Sequence, residues 1–527
     1  MKRSALAAAA LEVMAEHRML RSLAARARLP STLRTHAQAL AVASAAVPAI
    51  AGFVLLAAQS LQSLGPVGDS TTPLATLEPV VVYARPLCTF ANEDAQAALI
   101  DGADGGASVV VGDRAFWLFG DTLFAGESGK QIEQNSIAWS KGQREDGCPK
   151  LEYYTRNGIG VPFLPKDGSL TNWPAGSWAV DDRFLDIYVA YIYGTGPFAY
   201  WVGEIGVSRL DTQTMKVEVV ARVLWNADSG FSDQVIGAQP VEVGQDGMVR
   251  VVLQTTSDDK LLARVPTGSF ARADAYEFWT GHDWSSSPAD ALPLWKHTQP
   301  VDSVKRLTTF ENAPYIAFNP YLRKYVAVMN MGIGTIGTRT ADGLEGPWSE
   351  PVPWLDCTAV AQVAVPTCYR PVQHPELAAD GGRALLVTFT RMATYDVVAY
   401  ELRLGDPIRE YRGGDGAIAY GATPPEGEWE EGAVAFYASA IPLPGFAPIH
   451  RWERGGELAY GADAPGPGFT EREVAFYAPP TGAIPGSVTT YRPVFEWRNG
   501  SVRVLSPLKQ GLEEYGYTRG RVVFFAP

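Results

Sequence analysis

At 527 residues the chain is too long for one ordinary hydrophobic core, so two or more domains are expected. Aromatic residues make up 11% and charged residues only 19%, alongside 52 Gly and 38 Pro, a composition that favours many short strands joined by turns over helices. The formal net charge of −13 sets the chain against phosphate backbones and excludes nucleic acid as the expected partner.

Residues 1–60 run against that acidity. They carry Lys2, Arg3, Arg18, Arg21, Arg26, Arg28 and Arg34 against only Glu12 and Glu16, and the stretch Ala39 to Ala58, "ALAVASAAVPAIAGFVLLAA", has no charge. A basic flank before an apolar run reads as a signal peptide or an N-terminal membrane anchor, with the rest of the chain carried across the membrane. The expected location is therefore secreted, periplasmic or anchored at the cell surface. A buried apolar helix of a soluble domain is the alternative. Export suits the four cysteines: Cys88 with Cys148, and Cys357 with Cys368, pair by proximity along the chain, one of three possible connectivities. Their spacing matches no zinc motif, and no cofactor or metal is expected.

Residues 61–79 form a polar linker bearing Pro and Gly. After it, five apolar runs of strand length recur: "AFWLFGDT" (115–122), "DIYVAYIYG" (186–194), "VRVVLQTT" (249–256), "YVAVMNMG" (325–332) and "ALLVTFTR" (384–391). Each follows a short apolar stretch across a polar turn, at Gly112–Asp113, Asp181–Asp182, Gly244–Gln245, Asn319–Pro320 and Asp380–Gly381. Sequential up-and-down units of this kind predict an all-β fold, a five-bladed β-propeller over residues 80–408, with a pair of β-sandwiches as the alternative. A second repeat follows over 409–527. "AYGA" occurs at 419–422 and 459–462, "VAFYA" at 434–438 and 474–478, and "VVFFA" at 522–526. Arg412, Arg451 and Arg492 keep the same period. These units predict a threefold-repeat β domain of β-trefoil size, expected to hold carbohydrate or cell wall.

In a propeller the innermost strand of each blade lines the central funnel. The starts of those strands offer Asp104, then Trp173 and Trp178, then Gln239, then Glu311 and Asn312, and last Arg370, His374 and Glu376. Acids, aromatics, amides and a cation around one mouth are what a sugar pocket needs: carboxylates to move protons or attack carbon, aromatic faces to pack on sugar rings, amides and Arg to hold hydroxyls. Because the chain reverses at Gly112–Asp113, Asp121 of "FWLFGDT" returns to the end where Asp104 begins, and the two carboxylates are expected to perturb one another. The catalytic set is thus Asp104, Asp121 and Glu311, with Trp173, Trp178, Gln239, Asn312, Arg370 and His374 binding substrate. Blander readings exist for each: Asp121 capping its own turn, Glu311 and Asn312 as a solvated pair, His374 as a structural histidine, Trp173 as blade packing. No Gly-x-Ser-x-Gly, P-loop or His-Glu-x-x-His occurs, so acyl transfer, nucleotide hydrolysis and zinc proteolysis lack support.

The ordered series "DGGAS…FWLFGDT", "NSIAWS" (135–140), "LLARVP" (261–266), "YIAFNPYLRKYVAVMN" (315–330), "GPWSEPV" (346–352) and "HPEL" (374–377) resembles a large bacterial family of five-bladed propellers. The resemblance spans roughly 80–405. That family includes endo-D-arabinanases that cut mycobacterial arabinan, and its fold is similar to other arabinan- and fructan-active glycosidases. It implies an inward acid from the first blade and a second acid opposite, carried over to Asp104, Asp121 and Glu311. The sequence departs from the family pattern at Asp396, where Asn is expected, and at Ala-Pro in "ENAPYIAF". The C-terminal units resemble a Phe-Tyr-rich repeat module that accompanies secreted hydrolases. The expectation is an exported, monomeric glycoside hydrolase acting on a furanose-containing polysaccharide or cell-wall glycan; the alternative is a non-catalytic glycan-binding or adhesive protein on the same scaffold.

Overall fold

A computed structural model of the chain describes residues 79–527, except 126–130, 145–146, 167, 197–198, 296–314, 332–333, 358–367, 393, 501 and 509–511. The apolar segment 39–58 and the pair Glu311 and Asn312 lie outside the described residues. No helix among the described residues is long and apolar enough to cross a membrane.

Each predicted apolar run is the second strand of an antiparallel sheet. Sheet I comprises Ile100–Val111, Arg114–Ala125, Gln131–Ser140 and Glu152–Tyr153. Sheet II comprises Thr171–Ala179, Phe184–Gly196, Ala199–Asp211 and Lys216–Asn226. Sheet III runs from Val235–Val243 through Met248–Thr255 and Lys260–Pro266 to two short outer strands. Sheet IV comprises Tyr315–Asn319, Lys324–Asn330, Thr335–Ala341 and Val352–Asp356. Sheet V comprises Cys368–Gln373, Ala384–Arg391 and Asp396–Leu404, and its outer strand is Val81–Thr89, supplied from the beginning of the described chain. The first strand of each sheet touches that of the next, and the first strand of sheet V touches that of sheet I.

The faces of these sheets explain the unbroken run Phe116–Phe119. Phe116 and Leu118 pack towards sheet II with Ile187, Val189 and Tyr191. Trp117 and Phe119, on the opposite face, pack towards sheet V with Leu386, Val397 and Ala399. A strand buried on both faces needs apolar residues at every position rather than at alternate ones, and each such side chain contributes about 1.5–3 kcal/mol.

Both disulfides form in the expected pairing. Cys88–Cys148 fastens the outer strand of sheet V to the segment following the third strand of sheet I, and Cys357–Cys368 joins sheet IV to sheet V. With its cysteines 60 positions apart in sequence, the first closes the larger loop, which corresponds to about 4 kcal/mol of lost unfolded-state entropy.

The second repeat forms three three-stranded sheets. Their central strands are Asp406–Gly413, Ala447–Arg454 and Arg492–Asn499, so the first begins slightly before residue 409. The repeated "VAFYA" and "VVFFA" place Phe436, Phe476 and Phe524 in one cluster, with ring centroids 5.1–5.4 Å apart. Tyr460 Oη accepts from the Tyr420 backbone N–H, and Tyr420 Oη accepts from that of Leu505. The third repeat has Leu505 where the first two have Tyr, so this ring of hydroxyl bonds is not carried on by a third tyrosine.

This module also seals the outer strand of sheet V. Val82 and Tyr83 are buried against Leu443, Ile484 and Tyr491. The Val488 N–H donates to Ala84 O, and Tyr491 Oη donates to Val82 O. An edge strand with open N–H and C=O groups is a template for aggregation, and here its free side is occupied.

Candidate active site

Pairing between the first two strands of sheet I shifts register three times between Ile100 and Ala107, and at the middle shift it passes from Ala103↔Thr122 to Gly105↔Phe119, so Asp104 stands opposite Gly120 and Asp121. The same two residues bulge from the third strand, where the register passes from Phe119↔Ser136 to Thr122↔Gln134. Bulges re-aim side chains, and here the fully buried run Ala115–Gly120 gives way to a half-buried Asp121. Thr122 fixes the bulge: Oγ1 donates to Gly120 O and shares a hydrogen bond with Ser136 Oγ. Gly105 and Gly106, with φ of 81° and 86°, supply the left-handed backbone that the opposite strand needs here.

The expected meeting of the two acids is thereby realised along the backbone. Asp104 is 8% exposed, and its Oδ2 accepts from Tyr369 Oη at 3.0 Å. Its Oδ1 makes no well-formed hydrogen bond and lies against Gly120, where a Cβ would stand 2.3 Å from it. Burial pushes the Asp104 carboxyl above its ordinary value, against the opposing pull of Arg370, Tyr369, the Asp121 backbone N–H and Tyr395. Burial lifts the phenols of both Tyr369 and Tyr395 well above their usual range, and the Asp104 charge adds to it. Arg370 and Tyr395 hold left-handed φ of 49° and 51°, a conformation that costs a non-glycine residue about 1 kcal/mol or more and clusters at functional sites. Two residues so held on either side of one buried carboxyl mark it as a place where geometry is enforced.

Asp121 is half-buried, and Trp173 Nε1 donates to its Oδ1 at 2.5 Å. The Trp173 ring meets Tyr200 edge to face, with centroids 5.4 Å apart. The Tyr200 phenol is raised by burial first and then by the charges of Asp121 and Asp104. One partly open carboxylate, one buried protonatable carboxyl, a guanidinium and two aromatic rings therefore share one corner between sheets I, II and V. The arrangement can donate a proton, accept one, and pack against a ring.

The other expected residues lie elsewhere. Trp178 is five residues beyond Trp173 on the same strand, roughly 16 Å along it, and packs on Phe270 in the core between sheets II and III. Gln239 clamps the backbone of Ile316, donating to its O and accepting from its N–H, both at 2.9 Å. His374 is buried against Trp117; its Nε2 bonds Thr388 Oγ1 at 2.8 Å and its Nδ1 bonds Ser108 Oγ, which also bonds Glu376. Burial alone takes its pKa down to about 3, so the ring is neutral. Asp396 is ion-paired with Arg391 at 2.6 Å and hydrogen-bonded by Thr89 at 2.5 Å, a strand-end clamp. Three neighbours of the acids escaped the sequence reading: Tyr369, Tyr395 and Tyr200. Tyr369 precedes Arg370 and was the most accessible signal, since a residue beside a chosen one on an inner strand faces the next sheet.

Residues 90–401 match a family model described as Domain of unknown function (DUF4185). No curated protein sequence matches the chain. Among solved structures, a putative hydrolase from Bacteroides ovatus is similar at 12% identity and a TM-score of 0.42, over 59% of this chain and 87% of that one. The α-L-arabinofuranosidase of Podospora anserina, in complex with cellotriose, is similar at 12% identity and 0.39, over 62% and 97%. An exo-β-1,3-galactanase from Clostridium thermocellum is similar at 11% identity and 0.38, over 81% and 83%.

Proposed function

The chain belongs to the DUF4185 family, and we propose that within it this protein is an exported glycoside hydrolase acting on a furanose-containing polysaccharide, built as a five-bladed β-propeller. The observation that carries the reading is the bulge that presents Asp121 beside the buried Asp104, whose carboxyl burial pushes above its ordinary value. Hydrolysis of a glycosidic bond needs one carboxyl to protonate the leaving oxygen and another to activate water or attack the anomeric carbon. Asp104, with its raised pKa and an Oδ1 lacking a well-formed partner, suits the proton-holding role; Asp121, partly open and oriented by Trp173, suits the nucleophile or base. The Tyr369–Tyr395 pair keeps Asp104 in place and limits how far its pKa rises. Arg370 and the Trp173 ring hold the sugar. Glu311 remains a candidate for the opposing acid of the resemblance, and the three-repeat module for a wall- or glycan-holding role. The endo-arabinanase character is taken from the sequence resemblance alone.

One observation favours the second reading, a non-catalytic glycan-binding protein: the Arg370 charge acts on Asp104 and stabilises its ionised form. The reducing ends released from arabinans, arabinogalactan and fructans by the purified chain separate the two. Release from one of these, abolished by Asp121→Asn, supports hydrolysis; retention on the polymer without release supports binding alone.

A further inference from the structure

We propose that Tyr200 and Trp201, consecutive residues of the strand Ala199–Asp211, form a two-sided aromatic wall that binds a second sugar unit of the same polysaccharide, next to the one at Asp121; this rests on the glycan reading above. The two rings lie on opposite faces of one strand. Tyr200, 47% exposed, turns to Trp173 and to the two carboxylates, whose charges both act on its phenol. Trp201, 60% exposed, stacks on Tyr193, to which it is also paired across the strands, with centroids 6.2 Å apart and planes 26° from parallel. Beneath that stack, Tyr193 Oη donates to Glu204 Oε1 at 2.9 Å and accepts from Arg222 at 2.8 Å. The ring under Trp201 is therefore held rigid.

An indole most of whose surface meets water, stacked on a tyrosine locked by an ion pair, is a costly way to finish a sheet edge and a ready platform for the apolar face of a sugar. The polymer it fits is neutral, because the chain carries a net charge of −13 and the charges of Asp121 and Asp104 reach Tyr200. Continuity decides the occupant: Trp173 touches Tyr200 and donates to Asp121, so a glycan held at the acids leads onto Tyr200, the residue that Trp201 follows directly along the strand.

The test is retardation of the full chain in gels containing soluble arabinan, arabinogalactan or fructan, which reads binding whether or not cleavage occurs. Trp201→Ala is expected to weaken retardation about three- to tenfold, the scale of one aromatic stacking contact, and Trp201→Phe to restore most of it. Tyr200→Ala is expected to weaken it as well and to raise the KM for polymer. Parent protein that is retarded by a polymer, with Trp201→Ala retarded equally, overturns the wall while leaving hydrolysis intact. Retardation that depends on Trp201 without any release of reducing ends sustains the wall and overturns the hydrolase. No retardation by any of the three polymers overturns the wall.

Discussion

The Asp104 carboxylate rests against the Cα of Gly120, so closely that a methyl group built there would stand 2.3 Å from Oδ1. Gly120 is thus a spacer for the neighbouring strand's acid, and that strand is itself held by Tyr369 and by the backbone around Tyr395. Gly120→Ala is expected to displace Asp104 and lower turnover about 100-fold, the scale of a 1 Å misplacement. Stability should fall by about 1–3 kcal/mol, as for overpacking elsewhere in a well-packed interior. Kinetics with denaturant unfolding of the same sample check both figures.

Tyr369 donates its hydroxyl to Asp104 Oδ2, a bond that favours the ionised carboxyl. Its removal in Tyr369→Phe is expected to raise the Asp104 pKa further. Where Asp104 is the proton donor, activity is lost as pH climbs through that pKa, so the alkaline limb of the pH–rate profile should move to higher pH. An unmoved limb with lower turnover would make Tyr369 a packing residue only.

His374 offers a stability readout independent of activity. Burial holds its pKa at about 3 against an ordinary 6.5, so between those values the unfolded chain binds a proton that the folded chain refuses. Stability from this residue is complete above about pH 6.5 and declines as pH falls towards 3. Glu376, raised by burial, acts in the opposite sense above its ordinary value, which makes the comparison of variants the informative one. His374→Gln is expected to be less stable than the parent at pH 7.5, having lost bonds to Ser108 and Thr388, yet to lose less on acidification to pH 4.5. Urea midpoints at the two pH values check this; equal acid losses would contradict it.

How much of this was legible in the sequence depended on what each residue's signal was. Phe116 to Phe119 announced a core strand, though not that both its faces are buried, and Gly112–Asp113 fixed the reversal that returns Asp121 to Asp104. The repeated "VAFYA" announced a threefold unit whose aromatics are its core. Trp178 and Gln239 were misplaced because reading the start of an inner strand ignores both distance along it and which face each position takes. Tyr369, Tyr395 and Tyr200 were not found because 22 tyrosines in the chain give each little distinction; only the left-handed turn at Tyr395 and the hairpin carrying Tyr200 bring them to the acids. That the C-terminal module covers the Val81–Thr89 strand leaves no local trace in either segment.

That covering changes the expectation for a truncated chain. Ending the protein at Leu404 uncovers Val82 and Tyr83 and removes the partners of Ala84 and Val82 on an edge strand. The loss is expected to reach several kcal/mol at about 1.5–3 kcal/mol for each uncovered side chain, with aggregation of the exposed edge. Thermal unfolding and light scattering of the truncated protein check this; a soluble fragment melting with the parent would show the module to be an independent appendage.

The most direct measurement of the account is reducing-end release from furanose polysaccharides by the parent, Asp104→Asn and Asp121→Asn, each with a melting curve. Both variants are expected to lose activity by about 10²–10⁴-fold, the loss attending removal of general acid or base function. Because the raised Asp104 pKa lets the folded chain keep a proton that the unfolded chain releases, that residue weakens the fold as pH rises above about 3.8. Asp104→Asn should therefore melt at or above the parent temperature at pH 7. Near-parent turnover in Asp121→Asn would contradict the account, leaving the bulge at Gly120–Asp121 a feature of folding and not of chemistry.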